Sequence, residues 1–112
     1  MSKMSRVEML ELFAEQEPQN PFNWYALALE YKELNKEKAE AYFSKLLESF
    51  PDYLPTYYQS AEFFAEMNLL SLANSIYLKG IALAETQKEA NTLRELKNSY
   101  QNFLFEYDFE ED

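Results

Sequence analysis

Apolar residues recur along this chain at helical spacing. Trp24, Leu27, Ala28 and Tyr31 stand at i, i+3, i+4 and i+7, and Tyr57, Ser60, Ala61 and Phe64 repeat the pattern 33 residues later. Residues so spaced share one face of an α-helix. Upstream, Val7, Leu10 and Phe13 form a similar stripe, widened by Met9 and Leu12, and Ser5-Arg6-Val7-Glu8 has the S-x-x-E form of a capping box. A first helix is therefore expected over residues 5–16, stopping before Pro18. Pro21 suits the first position of a second helix, with Asn20 as its N-cap. That helix should end near Asn35. A third is expected over 37–49, with Ala39, Phe43, Leu46 and Leu47 inward. Pro51 closes it, since the residue before a proline is biased away from helix. The cycle then restarts. Pro55 opens a helix reaching Asn68, and another over 71–84 turns Ala73, Ile76, Tyr77 and Gly80 inward. A last helix over 88–105 carries Leu93, Leu96, Tyr100, Phe103 and Leu104.

The prolines keep the same register as the aromatics. Pro18 lies six residues before Trp24, and Pro51 six before Tyr57; Phe13 lies five before Pro18, and Leu46 five before Pro51. Residues 5–18 thus read as the back half of a unit whose later copies are complete. A period of this length means stacked supersecondary units, none able to bury its apolar face alone.

These residues resemble the tetratricopeptide repeat family, whose period is about 34 residues. The first unit reads Trp24, Leu27, Ala28, Tyr31, then Ala39, Phe43, Leu46, Pro51; the second reads Tyr57, Ser60, Ala61, Phe64, then Ala73, Tyr77, Gly80. The first unit is one residue short between Tyr31 and Ala39. Leu46 replaces a usual small residue, and Glu85 stands where the second unit's proline belongs. The last helix fits only after a slip of about two residues, which suits a capping helix. The resemblance implies an all-α, right-handed superhelical stack of antiparallel helix pairs, about six helices in all. It implies a single domain over 1–105: a partial repeat at 5–18, repeats at 21–51 and 54–84, a cap at 88–105 and an acidic tail at 106–112. The physical grammar agrees. Ala28 and Ala61 let helices approach closely because only a methyl intervenes. Gly80 costs about 1 kcal/mol against alanine within a helix, tolerable if its missing side chain admits the last helix.

Composition narrows the chemistry. Apolar residues make up 47% of the 112, with one glycine, four prolines, no cysteine and no histidine. So few turn formers argue against an all-β fold. Disulfides, thiol nucleophiles, imidazole bases and Cys or His metal ligands are excluded. A single glycine allows no phosphate-binding loop. The carboxylate pairs Glu30/Glu33 and Glu62/Glu66 read as solvated charge. No catalytic residue, metal or cofactor is expected, and the chain reads as a non-enzyme. No run of about 18 apolar residues is present to span a bilayer, and the opening MSKMSRVEMLELF is too polar for a signal peptide. A cytoplasmic location is the default expectation. The net charge of −10 disfavours nucleic acid and anionic membrane as partners.

In the family, the concave groove is lined by a face of each pair's first helix offset from the packing face. The resemblance places Phe22, Tyr25, Ala26, Leu29, Lys32 and Glu33 there in the first unit, and Pro55, Tyr58, Gln59, Glu62, Ala65 and Glu66 in the second. A soluble helix needs only one apolar stripe, yet Phe22, Tyr25 and Leu29 form a second. Such residues suit anchoring of a peptide or protein segment. The expected groove contacts are Phe22, Tyr25, Leu29, Glu33, Tyr58, Gln59, Glu62 and Glu66. Members that grip a C-terminal carboxylate use Lys, Asn and Arg, where this chain has Tyr25, Leu29 and Gln59 beside Glu62 and Glu66. A basic or apolar segment fits better. Cover by the chain itself, a homodimer contact and a small-ligand pocket are the alternatives. The tail from Phe103, FLFEYDFEED, reads either as a frayed helix end with a solubilising tail or as a segment that folds back.

Overall fold

The computed structural model describes residues 3–110, with side chains from Arg6 onward. Among these residues there are six α-helices and no strand: α1 Lys3–Gln16, α2 Pro21–Leu34, α3 Lys36–Ser49, α4 Pro55–Glu66, α5 Leu70–Gln87 and α6 Ala90–Glu106. The chain forms two compact units, one up to Thr56 and one from Tyr57.

In the first unit α1 and α3 both pack against α2. The spaced set on α2 is consumed by this packing: Leu27, Ala28 and Tyr31 are buried, as are Ala39, Phe43 and Leu46 of α3. Tyr42 stacks on Trp24 at 5.8 Å and on Tyr31 at 5.7 Å, so α2 and α3 share a ladder of three rings. Lys45 covers the Trp24 ring and Lys38 the Tyr31 ring, each as a cation over an aromatic face. Asn35 alone connects the two helices. Its N–H donates to the Tyr31 carbonyl, closing α2, while its side chain accepts from Lys38 N, opening α3. This shared cap explains why the first unit is one residue short.

Two expectations for α1 fail. The helix starts at Lys3, so Ser5 lies inside it rather than capping it. Lys and Met are good helix formers and carry the helix past the S-x-x-E pattern. The buried stripe is also rotated: Val7 and Ala14 are buried and Leu10 is half-buried, while Phe13, expected inside, is exposed. Ala14 presents only a methyl and lets α2 approach, which turns Met9, Leu12 and Phe13 outward.

The second unit holds α4 from Tyr57 on, α5 and α6. Tyr57, Ser60, Ala61, Phe63 and Phe64 of α4 are buried with Ala73, Ile76, Tyr77 and Ala84 of α5 and Leu96 and Phe103 of α6. Gly80 sits where these helices meet. A Cβ there would lie 2.7 Å from the Tyr57 Cβ and 3.4 Å from Leu96 Cδ1. The missing side chain thus admits chiefly α4, not the last helix as expected. All three helices end alike, on a left-handed residue that is not glycine: Asn68, Lys88 and Asp108. After each, the next N–H reaches back five residues, Leu69 to Phe64, Glu89 to Ala84 and Phe109 to Leu104. This is the Schellman arrangement, which satisfies otherwise orphaned carbonyls. It carries α5 to Gln87, beyond the expected end at 84. It also orders the tail: Phe109 packs on Phe103 at 5.4 Å, so through Glu110 the helix end is not frayed.

Candidate functional site

Each unit places its part of the expected contact set. In the first, Asn20 Oδ1 accepts from Phe22 N at 3.1 Å, and Trp24 Nε1 donates to the Pro18 carbonyl at 3.0 Å. These bonds fix the start of α2 and leave Phe22 57% exposed in its first turn. Tyr25 and Leu29, further along the same stripe, are half-buried, and Glu33 is exposed. Tyr25 meets the ring of Tyr53 edge-on at 5.7 Å. Burial pushes the Tyr25 phenol above its ordinary pKa, with Tyr53 adding to the shift. Ala26 and Lys32 are half-buried.

In the second unit Tyr58, Gln59 and Glu62 are half-buried and Glu66 is exposed, whereas Ala65, expected on the same face, is buried in the core. The negative charge of Glu62, followed by burial, raises the Tyr58 pKa, and Tyr58 shares hydrogen bonds with Glu62 and Ser99. Ser99 also bonds the Tyr77 hydroxyl at 2.7 Å. Tyr77 is pushed up to about 12, first by burial, with Ser99 opposing. Further along, Tyr107 is raised by burial and then by the carboxylates of Glu106 and Glu66. Tyr58, Glu62 and Glu66 of α4 therefore meet Glu95, Ser99 and Tyr107 from α6 and its end, in a field dominated by carboxylates.

Among the described residues, no group of three or more potential ligands is placed to hold a metal, and no helix is long and apolar enough to cross a membrane.

No family model matches the sequence, and no curated protein does. Solved structures do. The crystal structure of a tetratricopeptide repeat domain protein from Salinibacter ruber superposes with a TM-score of 0.70 at 33% identity, covering 75% of this chain and 96% of its own. The chain belongs to the tetratricopeptide repeat family. A solution NMR structure of a tetratricopeptide repeat domain protein from the same organism agrees, with a TM-score of 0.72 at 31% identity over 78% of this chain and 89% of its own.

The tetratricopeptide fold is that of a protein–protein interaction module. Tyr53, Glu95 and Ser99 are not among the expected contacts, whereas Tyr107 lies in the tail for which folding back is one of the two expectations. Tyr53 lies between helices with no periodicity to mark it. The α6 residues lie where the repeat register slips, so counting from the earlier units does not reach them.

Proposed function

We propose that this tetratricopeptide protein is non-catalytic and binds protein partners, the contact residues of the first unit favouring apolar side chains and those of the second, taken by itself, favouring basic ones. Phe22 carries the reading. The packing residues of α2 are consumed by α1 and α3, yet a large aromatic stands more than half in water at its first turn. It adds little to the core, and rigid aromatics of this kind are typical interface anchors. Tyr25 and Leu29 extend the same stripe. On the second unit, the carboxylates around Tyr58 and Tyr107 favour a lysine or arginine side chain and oppose a terminal carboxylate. Gln59, Glu62 and Glu66 are the polar contacts offered there, and Glu33 plays that part on the first unit.

Affinity capture from the source cell tests this, with the native chain beside a Phe22→Ala, Glu66→Lys double variant. Both positions are exposed, so the fold is kept. Proteins held by the native chain and lost by the variant support the reading; equal retention by both overturns it.

A further inference from the structure

The outer face of α1 carries Met9, Leu12 and Phe13, exposed by 42%, 51% and 41%. They stand at i, i+3 and i+4 and form one stripe. The opposite stripe, Val7, Leu10 and Ala14, is already turned inward, and Glu11 accepts from the Tyr31 hydroxyl at 3.0 Å. A helix with one packing side needs one apolar stripe, and α1 has two. The contrast with α6 is direct. There Arg94, Lys97, Asn98, Gln101 and Asn102 make most of the outer face polar, as the closing element of a repeat stack requires, and the exposed Phe105 stands on it in the last turn without an apolar neighbour at i−4 or i−7.

Charge decides what fits on α1. Glu8 and Glu15, two turns apart and both exposed, line one flank of the stripe. On the other flank Arg6 is drawn to Glu30 of α2 at 3.3 Å. A second copy of α1 laid antiparallel would set Glu8 against Glu15 on the acidic flank, between two chains that each carry −10. A lysine-flanked helix meets the same flank with opposite charge.

We propose that α1 is a second docking surface, independent of the Phe22 stripe, for an amphipathic helix of a protein partner with an aliphatic stripe flanked by lysine or arginine. Met9, Leu12 and Phe13 receive the apolar stripe as one helix packed on another, and Glu8 and Glu15 pair with the basic flank.

The probe is a synthetic helical peptide of 14 residues, the length of α1, with leucines at helical spacing and lysines along one flank of the leucine stripe. A peptide with glutamates in place of the lysines is the control. Fluorescence anisotropy against the full chain should show saturable binding of the lysine peptide only. Leu12→Ser with Phe13→Ser should weaken it at least about tenfold, the scale of losing interface anchors. Glu8→Lys with Glu15→Lys should weaken it separately, which holds the test open if the serine variant misfolds. Phe22→Ala should leave it unchanged. Equal affinity in native and serine variants, equal binding of the two peptides, or a native dimer in sedimentation that the serine variant abolishes would each overturn the proposal.

Discussion

Gly80 lies in an α-helix, where alanine is ordinarily the better residue by about 1 kcal/mol. Here the added methyl would press on the Tyr57 Cβ at 2.7 Å, an atom tied to its own backbone. Gly80→Ala should therefore destabilise the protein by about 1–3 kcal/mol, the cost of overpacking, read by urea unfolding. Thr56 gives the opposite sign. It is fully buried, and among the described residues its hydroxyl has no hydrogen-bond partner. Thr56→Val should raise stability by about 1 kcal/mol in the same experiment, because it removes a desolvated polar group of similar shape. Tyr77 supplies a pH dependence. Its phenol titrates near 12 in the folded protein, against 10.0 ordinarily. The folded state then keeps a proton that the unfolded state releases, so this stabilisation is full below pH 10 and is lost as pH rises toward 12. An absorbance titration of tyrosinate should show one phenol ionising last, and Tyr77→Phe should remove it. At this scale the sequence identified the packing residues of α2 to α5 well, because packing repeats whenever stacking repeats. It misplaced Phe13, since a stripe of five apolar residues on one helix does not reveal which edge a small Ala14 will turn toward its neighbour.

Helix ends were the less legible part of the chain. Prolines marked the starts of α2 and α4, where a fixed backbone angle and a missing donor leave little choice. Ends without glycine carried weaker signals, and α5 runs a turn past the expected boundary to a left-handed lysine. Lys88 at φ 60° pays for that conformation, which glycine adopts freely. Lys88→Gly should stabilise the protein by about 0.5–1 kcal/mol, seen as a higher unfolding midpoint. Asn35 acts in the other direction. It caps two helices at once, so Asn35→Ala should cost about 1 kcal/mol or more, and Asn35→Asp much less, since aspartate caps as well.

For the whole molecule, the repeat carries the family resemblance while the residues proposed for contact lie outside its packing set. Phe22, Tyr25 and Leu29 are threaded between Trp24, Leu27, Ala28 and Tyr31 without belonging to the packing set. A partner recruited by the carboxylates of a chain carrying −10 should be released as salt rises, because screening weakens exposed charge pairs first. The most direct measurement is partner retention per folded molecule, comparing the native chain with Phe22→Ala and with Leu27→Val. Leu27 is fully buried, so its truncation should cost about 1 kcal/mol of stability yet leave retention native. Phe22→Ala should keep the stability and lose the partner. If folded Phe22→Ala holds the same proteins in the same yield as the native chain, the separation of contact from packing on α2 is wrong.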